Sequence, residues 1–442
     1  MIQKKKKVMR AVIIFAAGQG TRMRSTLPKV LHTIAHKSML SYVYDTAKDL
    51  DPAQIILVAS ESLKQAIEKK DKTIDFDTSE LTLAVQDNPL GTGHALQVAF
   101  HYLHPQITEI LVLYGDVPFV NVETLQPLLE DNHECCFLGM HVTPPHAYGR
   151  MMTEGENILK IVEDKDATAA EKTINYVWSG VLTAKTAFLK DYLPKLAPSP
   201  VTGEYYITDI IKFAALDGKK VRHKETPCAL EFEGVNDKVA LARMEQRQQE
   251  AMRADFLEKG VKMIAPETVF FAHDTVIEAD VTLMPFITFG KNVCIKSGAL
   301  IFSHCHIEAS VIEEGVRIGP FAHLREGNSI GKGAVIGNFV EVKHSTLHSN
   351  VKAKHLSYLG DTEIGEGTNI GAGTVACNYD GKNKHKTTIK AHVSIGGNTT
   401  LVAPVTIEDN VIVAAGSVIT EDVPKNVIAF GRARQVNKER KK

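Results

Sequence analysis

An apolar run of seven residues, Ala11 to Ala17, ends in Gly18-Gln19-Gly20-Thr21-Arg22. A glycine-rich turn at the carboxyl end of a buried strand exposes backbone N–H groups to an anion such as a phosphate. Met23 stands where a third glycine would complete the dinucleotide fingerprint, and no Gly-Lys-Ser/Thr follows to make a P-loop. The turn therefore needs other groups to become a site. Lys29 offers a cation for phosphates. Asp116, just past the apolar stretch Ile110 to Tyr114, offers the kind of single carboxylate that Mg²⁺ takes beside phosphate oxygens. In-line displacement at an α-phosphorus asks mainly for such positioning and charge neutralisation. Taken singly, each residue has a plainer reading: Lys29 as a solvated charge, Asp116 as a helix N-cap, His94 as a satisfied core histidine.

Elements that could hold these groups follow from hydrophobic patterning. Strands are predicted over Ala11 to Ala17, Ile55 to Ala59, Leu81 to Val85, Ile110 to Tyr114 and Cys135 to Val142. Helices such as Ala95 to Leu103 and Thr124 to Asp131 fall between them, and a further helix is expected directly after the glycine turn. This alternation implies a doubly wound α/β sheet with ligands at the carboxyl ends of its strands. From Ile389 the pattern changes. Ile389, Ile395, Leu401, Ile407, Val413 and Ile419 recur at every sixth position, and the residues four after them (Val393, Thr399, Val405, Val411, Ser417) are small or β-branched. Val281, Ile287, Val293, Ala299, Cys305 and Val311 keep the same step earlier in the chain. A step of six fits neither strand nor helix, but it fits a coil of short strands and tight turns, so about 140 residues read as one parallel β-helix. In the pairs Ile318-Gly319, Ile330-Gly331, Ile336-Gly337, Ile364-Gly365 and Ile370-Gly371 the glycine is read as relieving strain where the chain turns. A polar stretch, Asn378 to Lys386, interrupts the hexads as a loop that a pure scaffold does not need. The expected domains are residues 1–236 (nucleotidyltransferase), 237–260 (a linking helix) and 261–442 (the β-helix).

Composition narrows the partners. The 442 residues exceed one ordinary hydrophobic core, and 51 basic against 52 acidic residues give a net charge of -1. No global attraction to nucleic acid or anionic lipid follows, so small molecules are the expected ligands. No apolar stretch approaches the length of a membrane span. Lys4 to Lys7 followed by Ala11 to Ala17 imitates a secretory signal, but Arg10 interrupts it, and the segment is read as a solvated basic tip before the first strand. Six cysteines without Cys-x-x-Cys spacing point to a reducing cytoplasm rather than disulfides or zinc.

Joined to Pro28-Lys29, Leu90-Gly91-Thr92-Gly93-His94-Ala95, Tyr114-Gly115-Asp116 and Gly234-Val235-Asn236, the glycine turn resembles that of the sugar-nucleotide pyrophosphorylases. Asn338-Phe-Val-Glu-Val-Lys343, Lys354-His355-Leu-Ser-Tyr358-Leu-Gly-Asp, Asn369-Ile-Gly-Ala-Gly-Thr and Asn378-Tyr379-Asp380-Gly381 are similar to the acetyltransferase half of a more specific family. Its members are bacterial bifunctional N-acetylglucosamine-1-phosphate uridylyltransferases and glucosamine-1-phosphate N-acetyltransferases, and the likeness runs from about Val12 to Gln435. It implies an α/β fold with an N-terminal doubly wound nucleotidyltransferase domain and a C-terminal left-handed parallel β-helix of hexapeptide repeats. It further implies a cytoplasmic homotrimer acting on UTP, glucosamine 1-phosphate, N-acetylglucosamine 1-phosphate and acetyl-CoA, with Mg²⁺ as cofactor and no nucleic-acid or membrane partner.

Residue by residue, the resemblance makes Phe15, Ala16, Ala17, Gly18 and Arg22 a phosphate cradle, with Lys29 stabilising the transferred group, so that Arg22 and Lys29 count as catalytic. Gln86, Gly91 and Thr92 read the uracil. Tyr114 and Gly115 line the substrate, Asp116 and Asn236 hold Mg²⁺, and Gly149 and Glu163 meet the amino sugar. Trp178 stands where the family has an asparagine and is expected beside the sugar, with a donor but no acceptor to offer it. In the β-helix, His355 is the base for the amine that attacks the thioester, because an imidazole titrates near neutral pH. Arg325 and Lys343 take the sugar's phosphate, with Tyr358 and Asn369 nearby. Ala372, Asn378, Tyr379, Lys384, Gly397, Ala415 and Arg432 occupy the acetyl-CoA region. Gly397 replaces a serine and Glu326 a proline. Without the motifs, His355 reads as turn filler and Lys343 as an edge charge. Two rival functions remain open at this point: nucleotidyl transfer alone with a β-helix that only oligomerises, and a regulatory protein with a degenerate nucleotidyltransferase domain.

Overall fold

The computed structural model describes residues 8–144 and 146–440. Lys4 to Lys7 lie outside them. The chain divides into two compact units, residues 1–244 and 245–442, so the division falls inside the long helix Lys238–Glu258 rather than at its start.

Nine strands make the sheet of the first unit: β1 (Arg10–Ala16), β2 (Gln54–Ala59), β3 (Leu81–Val85), β4 (Glu109–Tyr114), β5 (Cys135–His141), β6 (Arg150–Glu154), β7 (Asn157–Val162), β8 (Tyr176–Lys185) and β9 (Arg222–Glu225). Their order is β3-β2-β1-β4-β8-β5-β9-β7-β6. β1 is parallel to both β2 and β4, and β8 enters antiparallel between β4 and β5. Both faces of β1 are buried, Ile13 and Phe15 on one side and Ile14 and Ala16 on the other, which is why its sequence is apolar without alternation. The chain runs from β1 outward to β2 and β3 and then crosses back to β4 on the other side of β1, so the carboxyl ends of β1 and β4 flank a crevice at a topological switch point.

The helix expected after the glycine turn does not form there. Gly20 and Arg24 take left-handed backbone angles (φ 59° and 48°) around a single tight turn, Thr21–Met23, and Pro28 precedes another, Lys29–Leu31. The first α-helix begins only at Met39, capped by the Ser38 hydroxyl. Left-handed residues and a proline cannot continue an α-helix.

In the second unit, register pairs Ile277 with Ile295 and Ile389 with Ile407, eighteen residues apart, so three hexads make one coil. The aliphatic at each sixth position points inward: Ile389, Ile395, Leu401, Ile407, Val413 and Ile419 are all buried, each worth about 1.5–3 kcal/mol of apolar burial. The earlier run breaks at its last member. Val311 is 40% exposed, and Ser310 with Ile312 is turned inward instead, because the coil from Ile295 to Ile312 is one residue short. Between Ile364 and Ile389 the coil grows to twenty-five residues by accommodating the loop Asn378 to Lys386. Glycine after the aliphatic has a different cause from the one expected. Gly337 does not take a left-handed turn, but a Cβ there would lie 1.8 Å from the carbonyl oxygen of Lys354 in the next coil. Close stacking of coils excludes the side chain, and among the five aliphatic-glycine pairs only Gly319 has a positive φ, 98°. At the N-terminal end Gln249 pairs with both backbone groups of Phe271 (2.7 and 2.8 Å), and Phe256 packs on Phe271, so the helix covers an open strand edge.

Candidate functional sites in the two units

A cavity of about 270 Å³ opens at the carboxyl ends of β1 and β4. Phe15 to Gly18, Lys29, Gln86, Gly91, Thr92, Tyr114 and Asp116 line it, as expected, with Ala95 from the same motif, and so do Val30, Pro89 and Glu204, which the sequence did not single out. Lys29 forms an ion pair with Asp116 and donates to Asn236 Oδ1 at 3.3 Å. Three groups distant in sequence thus converge on one point. The two oxygen donors already face a cation, the Lys29 ammonium, and hard oxygen ligands of this kind suit Mg²⁺. Gly20 leaves Lys29 room: a Cβ there would sit 2.7 Å from the lysine's own Cβ. Arg22 is exposed beside the turn.

Gln86 is buried at the other end of the cavity, its amide nitrogen 2.8 Å from His94 Nδ1 and 3.4 Å from the Gly91 carbonyl. His94 is therefore a positioning partner of Gln86. Gly91 has φ 102°, and a Cβ would meet the Tyr205 carbonyl at 2.6 Å, so only glycine fits against that strand-like contact. Burial, then the charges of Glu163 and Asp116, hold the Tyr114 hydroxyl well above the usual phenol range. Tyr114 thus feels both carboxylates, Asp116 and Glu163. Gly149 packs against Glu163, where a Cβ would lie 3.3 Å from Oε2, and Thr208 donates to Oε1 at 3.1 Å. Burial raises the Glu163 carboxyl, and the Thr208 bond offsets part of that rise.

Trp178 is not where it was expected. It is 6% exposed and packs edge-on against Phe137 (5.4 Å) and Tyr114 (6.2 Å), with its indole N–H donating to the Val181 carbonyl at 2.9 Å. The register of β8 against β5 shifts between Trp178 and Leu182, and Gly180 has φ 96°. The indole closes this bulge from the core side, behind Tyr114, rather than facing a sugar.

The β-helix residues sort into columns. Backbone bonds from Gly373 to Leu356, Asn398 to Ala372 and Gly416 to Gly397 stack one corner of successive coils. His355, Ala372, Gly397 and Ala415 occupy that corner, and a Cβ on Gly416 would approach Arg432 at 3.7 Å. His355 is exposed, its Nδ1 3.0 Å from Asn338 Oδ1. Below it the same corner carries Phe286, His304, Phe321 and Phe339, stacked at 5.0, 4.8 and 5.2 Å with the phenylalanine rings half-exposed.

Arg325 and Lys343 are register partners on the adjoining face, as are Glu341 and Tyr358. Glu341 holds Arg325 through Nε (2.8 Å) and Nη2 (2.7 Å). Beyond them, at the next corner, the loop folds back: Asp380 accepts from Lys382 N (2.8 Å), Asn383 N (2.6 Å) and His385 (2.7 Å). Asn378 bonds Asp361, whose other oxygen is 2.8 Å from His344 Nδ1, and lies 3.5 Å from the Tyr358 hydroxyl. Tyr379 is 61% exposed. Lys384 lines a groove of about 360 Å³ with Gly327, His344 and Asp361, so within one chain it lies by the Arg325–Lys343 cluster and apart from the Ala372–Arg432 column. Asn369 lies on the preceding face, paired with Lys352 and Ser394. One chain therefore does not bring Asn369 or the Ala372–Arg432 column to Arg325 and Lys343. Asn338, Glu341 and Asp361 were missed as supporting residues although each lies inside a motif recognised in the sequence.

Residues 12–154 match the MobA-like NTP transferase domain, and residues 309–344 and 386–421 match the bacterial transferase hexapeptide repeats. The chain is similar to the bifunctional protein GlmU of Paracoccus denitrificans, 43% identical over 97% of this chain and 95% of that one. It is 41% identical to the bifunctional protein GlmU of Acinetobacter baumannii (strain ACICU), over 97% of each, and 41% identical to that of Zymomonas mobilis, over 97% of this chain and 95% of that one.

Proposed function

The chain belongs to the bifunctional GlmU family, and from that premise we propose which of its residues carry each of its two reactions. The enzyme acetylates glucosamine 1-phosphate with acetyl-CoA and transfers a uridylyl group from UTP to N-acetylglucosamine 1-phosphate, releasing pyrophosphate. The product, UDP-N-acetylglucosamine, feeds cell-wall synthesis. Both rival readings give way, since the relatives match across 97% of the chain and so across both units.

The convergence of Lys29, Asp116 and Asn236 at the mouth of the first cavity carries the uridylyl assignment. Asp116 and Asn236 would hold Mg²⁺, which supplies charge neutralisation at the phosphates. Lys29, released from Asp116, places its ammonium on the α-phosphoryl oxygens as the sugar phosphate attacks in line. Backbone N–H groups of the Phe15–Gly18 segment and Arg22 orient the remaining phosphates. Gln86, its amide nitrogen engaged by His94, offers its carbonyl oxygen to the uracil N3–H. Gly149 and Glu163 form the sugar end.

For acetyl transfer, Asn338 Oδ1 accepts from His355 Nδ1, which leaves Nε2 unprotonated and able to take a proton from the amine as it attacks the thioester carbonyl. Arg325, Lys343 and Lys384 bind the sugar's phosphate, and the Ala372, Gly397, Ala415 and Arg432 corner takes acetyl-CoA. The separation of these columns within one chain supports a homotrimer whose acyl sites close between copies, and the half-exposed stripe Phe286, Phe321, Phe339 and Leu356, which ends at His355, supplies apolar surface for that contact. Free thiols at all six cysteines accord with a cytoplasmic protein.

Incubation with glucosamine 1-phosphate, acetyl-CoA, UTP and Mg²⁺, with free thiol and pyrophosphate followed separately, tests the reading. Both should appear, with pyrophosphate lagging behind thiol. Pyrophosphate release that required supplied N-acetylglucosamine 1-phosphate, without any thiol, would reduce the β-helix to an oligomerising module.

A further inference from the structure

Glu326 sits at the phosphate cluster and belongs to none of the roles above. Its residue is left-handed (φ 58°), which turns the side chain back over the two cations just named. Oε1 accepts from Arg325 Nη1 at 3.2 Å and Oε2 from Lys343 Nζ at 2.9 Å. Glu341 already occupies the Nε and Nη2 edge of Arg325, so the Nη1 side is what remains for a ligand, and Glu326 takes it. The cations are the sunken partners: the Lys343 side chain is 12% exposed and the Glu326 side chain 53%. The carboxylate can therefore swing into solvent while the cations stay in place. The Lys343 bond, aided by the charges of Arg325 and Lys384, holds the Glu326 carboxyl below its ordinary range, so it stays ionised wherever the enzyme works near neutral pH.

Resting on the reading that Arg325 and Lys343 bind the sugar's phosphate, we propose that Glu326 is an internal competitor that fills the phosphate seat of the acetyl-transfer site until a phosphate dianion displaces it. A phosphomonoester offers the same pair of acceptor oxygens with about twice the charge of a carboxylate, so it wins the exchange, whereas a singly charged or neutral sugar does not. The apparent affinity for glucosamine 1-phosphate is the intrinsic one reduced by the fraction of sites in which Glu326 has swung out. Glu326 thereby sets the KM and favours dianionic substrates.

Glu326→Gln keeps the side chain's shape and removes its charge, and Glu326→Ala removes both. In the full-length protein, with thiol release followed against glucosamine 1-phosphate concentration, both should lower the KM about three- to tenfold, the scale of two partly exposed ion pairs. Inorganic phosphate should become a tighter competitive inhibitor by a similar factor. A KM that is unchanged or higher in both variants overturns the proposal. Lys343→Ala is run in parallel and should raise the KM by about tenfold or more. If it does so while the Glu326 variants change nothing, the competitor role alone falls; if Lys343→Ala changes nothing, the phosphate seat itself is misplaced and both readings fall. A thermal melt of each variant verifies that the β-helix is intact.

Discussion

The two units solve the same problem, holding phosphate and sugar groups in place, by opposite means. In the α/β unit the site is assembled from afar: Lys29, Asp116 and Asn236 come from three distant stretches, and the buried Gln86 and half-buried Glu163 are fixed by His94 and Thr208. In the β-helix the functional residues are neighbours in register, one coil apart, and most of them are exposed, His355, Ala372, Ala415 and Arg432 among them. A globular sheet builds its pocket from loops that cover it. A solenoid has no such cover, so its faces can present chemistry but cannot shut water out without another copy. The first site should accordingly work as a property of one chain, the second as a property of the assembly.

Breaking the chemistry on one side should leave the other untouched, and this gives the largest effects. His355→Ala should cut thiol release from acetyl-CoA by about 10²- to 10⁴-fold, the usual cost of a general base, while uridylyl transfer to supplied N-acetylglucosamine 1-phosphate continues. Acetylation at the wild-type rate would return His355 to the role of turn filler. Asp116→Asn is the mirror experiment. It removes one charge from the metal-type pair without altering shape, and pyrophosphate release at low Mg²⁺ should fall about a hundredfold while thiol release persists. Equal rates with and without the substitution would remove Asp116 from the ligand set.

The asymmetry also governs what the sequence could reveal. A period of six reports which side chains point inward, so the β-helix could be read almost coil by coil. It failed where a coil is one residue short, at Val311, because a single deletion moves the inward register by one while the aliphatic spacing looks unbroken. Periodicity is also silent on the reason for Gly337, which answers to the Lys354 carbonyl in a coil seventeen residues away. In the α/β unit the five apolar strands β1 to β5 were legible to within a residue or two, since β1 and its neighbours are buried, whereas β6, β7, β8 and β9 were not foreseen, β6, β7 and β9 being short or polar in sequence. The loop after Gly18 was not legible either, because Gly20 and Arg24 turn left-handed and Gly20 lies directly against the Lys29 side chain, a packing contact that local patterning does not announce. Site partners fared likewise. Asn338 and Asp361 lay within recognised motifs, but their roles depend on which coil stacks on which.

Trp178 sharpens the comparison from the inside, since it is the chain's only tryptophan and serves the enclosed site only through Tyr114. Trp178→Phe keeps an aromatic ring in the core but removes the donor to Val181, and should destabilise the first unit by about 1–3 kcal/mol in urea unfolding. The KM for N-acetylglucosamine 1-phosphate should change less than twofold. A large rise in that KM with unaltered stability would put the indole back in the sugar pocket.

The smallest effect is expected at Glu163 and concerns how enclosure couples to pH. Burial raises the carboxyl above its ordinary 4.5, so between that value and its elevated one the folded chain binds a proton that the unfolded chain has lost. Stability from this group is therefore full below about pH 4.5 and declines as pH rises through the folded-state value, because ionising a largely desolvated carboxyl costs free energy that solvent no longer repays. Glu163→Gln removes that titration. Its melting temperature should exceed that of the native protein near pH 7 by a few degrees at most, and the difference should shrink as the pH is lowered toward 4.5. Binding should move the other way, since an ionised carboxylate accepts hydrogen bonds from sugar hydroxyls better than an amide does, and the variant should hold N-acetylglucosamine 1-phosphate more weakly at pH 7. No comparable pH dependence should appear when exposed Asp380 is replaced by Asn in a melt over the same range: its carboxyl is held low by the Asn383 and Lys382 backbone N–H groups and His385, so it stays ionised throughout. A variant at Glu163 that lost stability at neutral pH would mean that the carboxylate is paired more strongly than the Thr208 bond indicates, and that the sugar end of the cavity is held by charge rather than by burial.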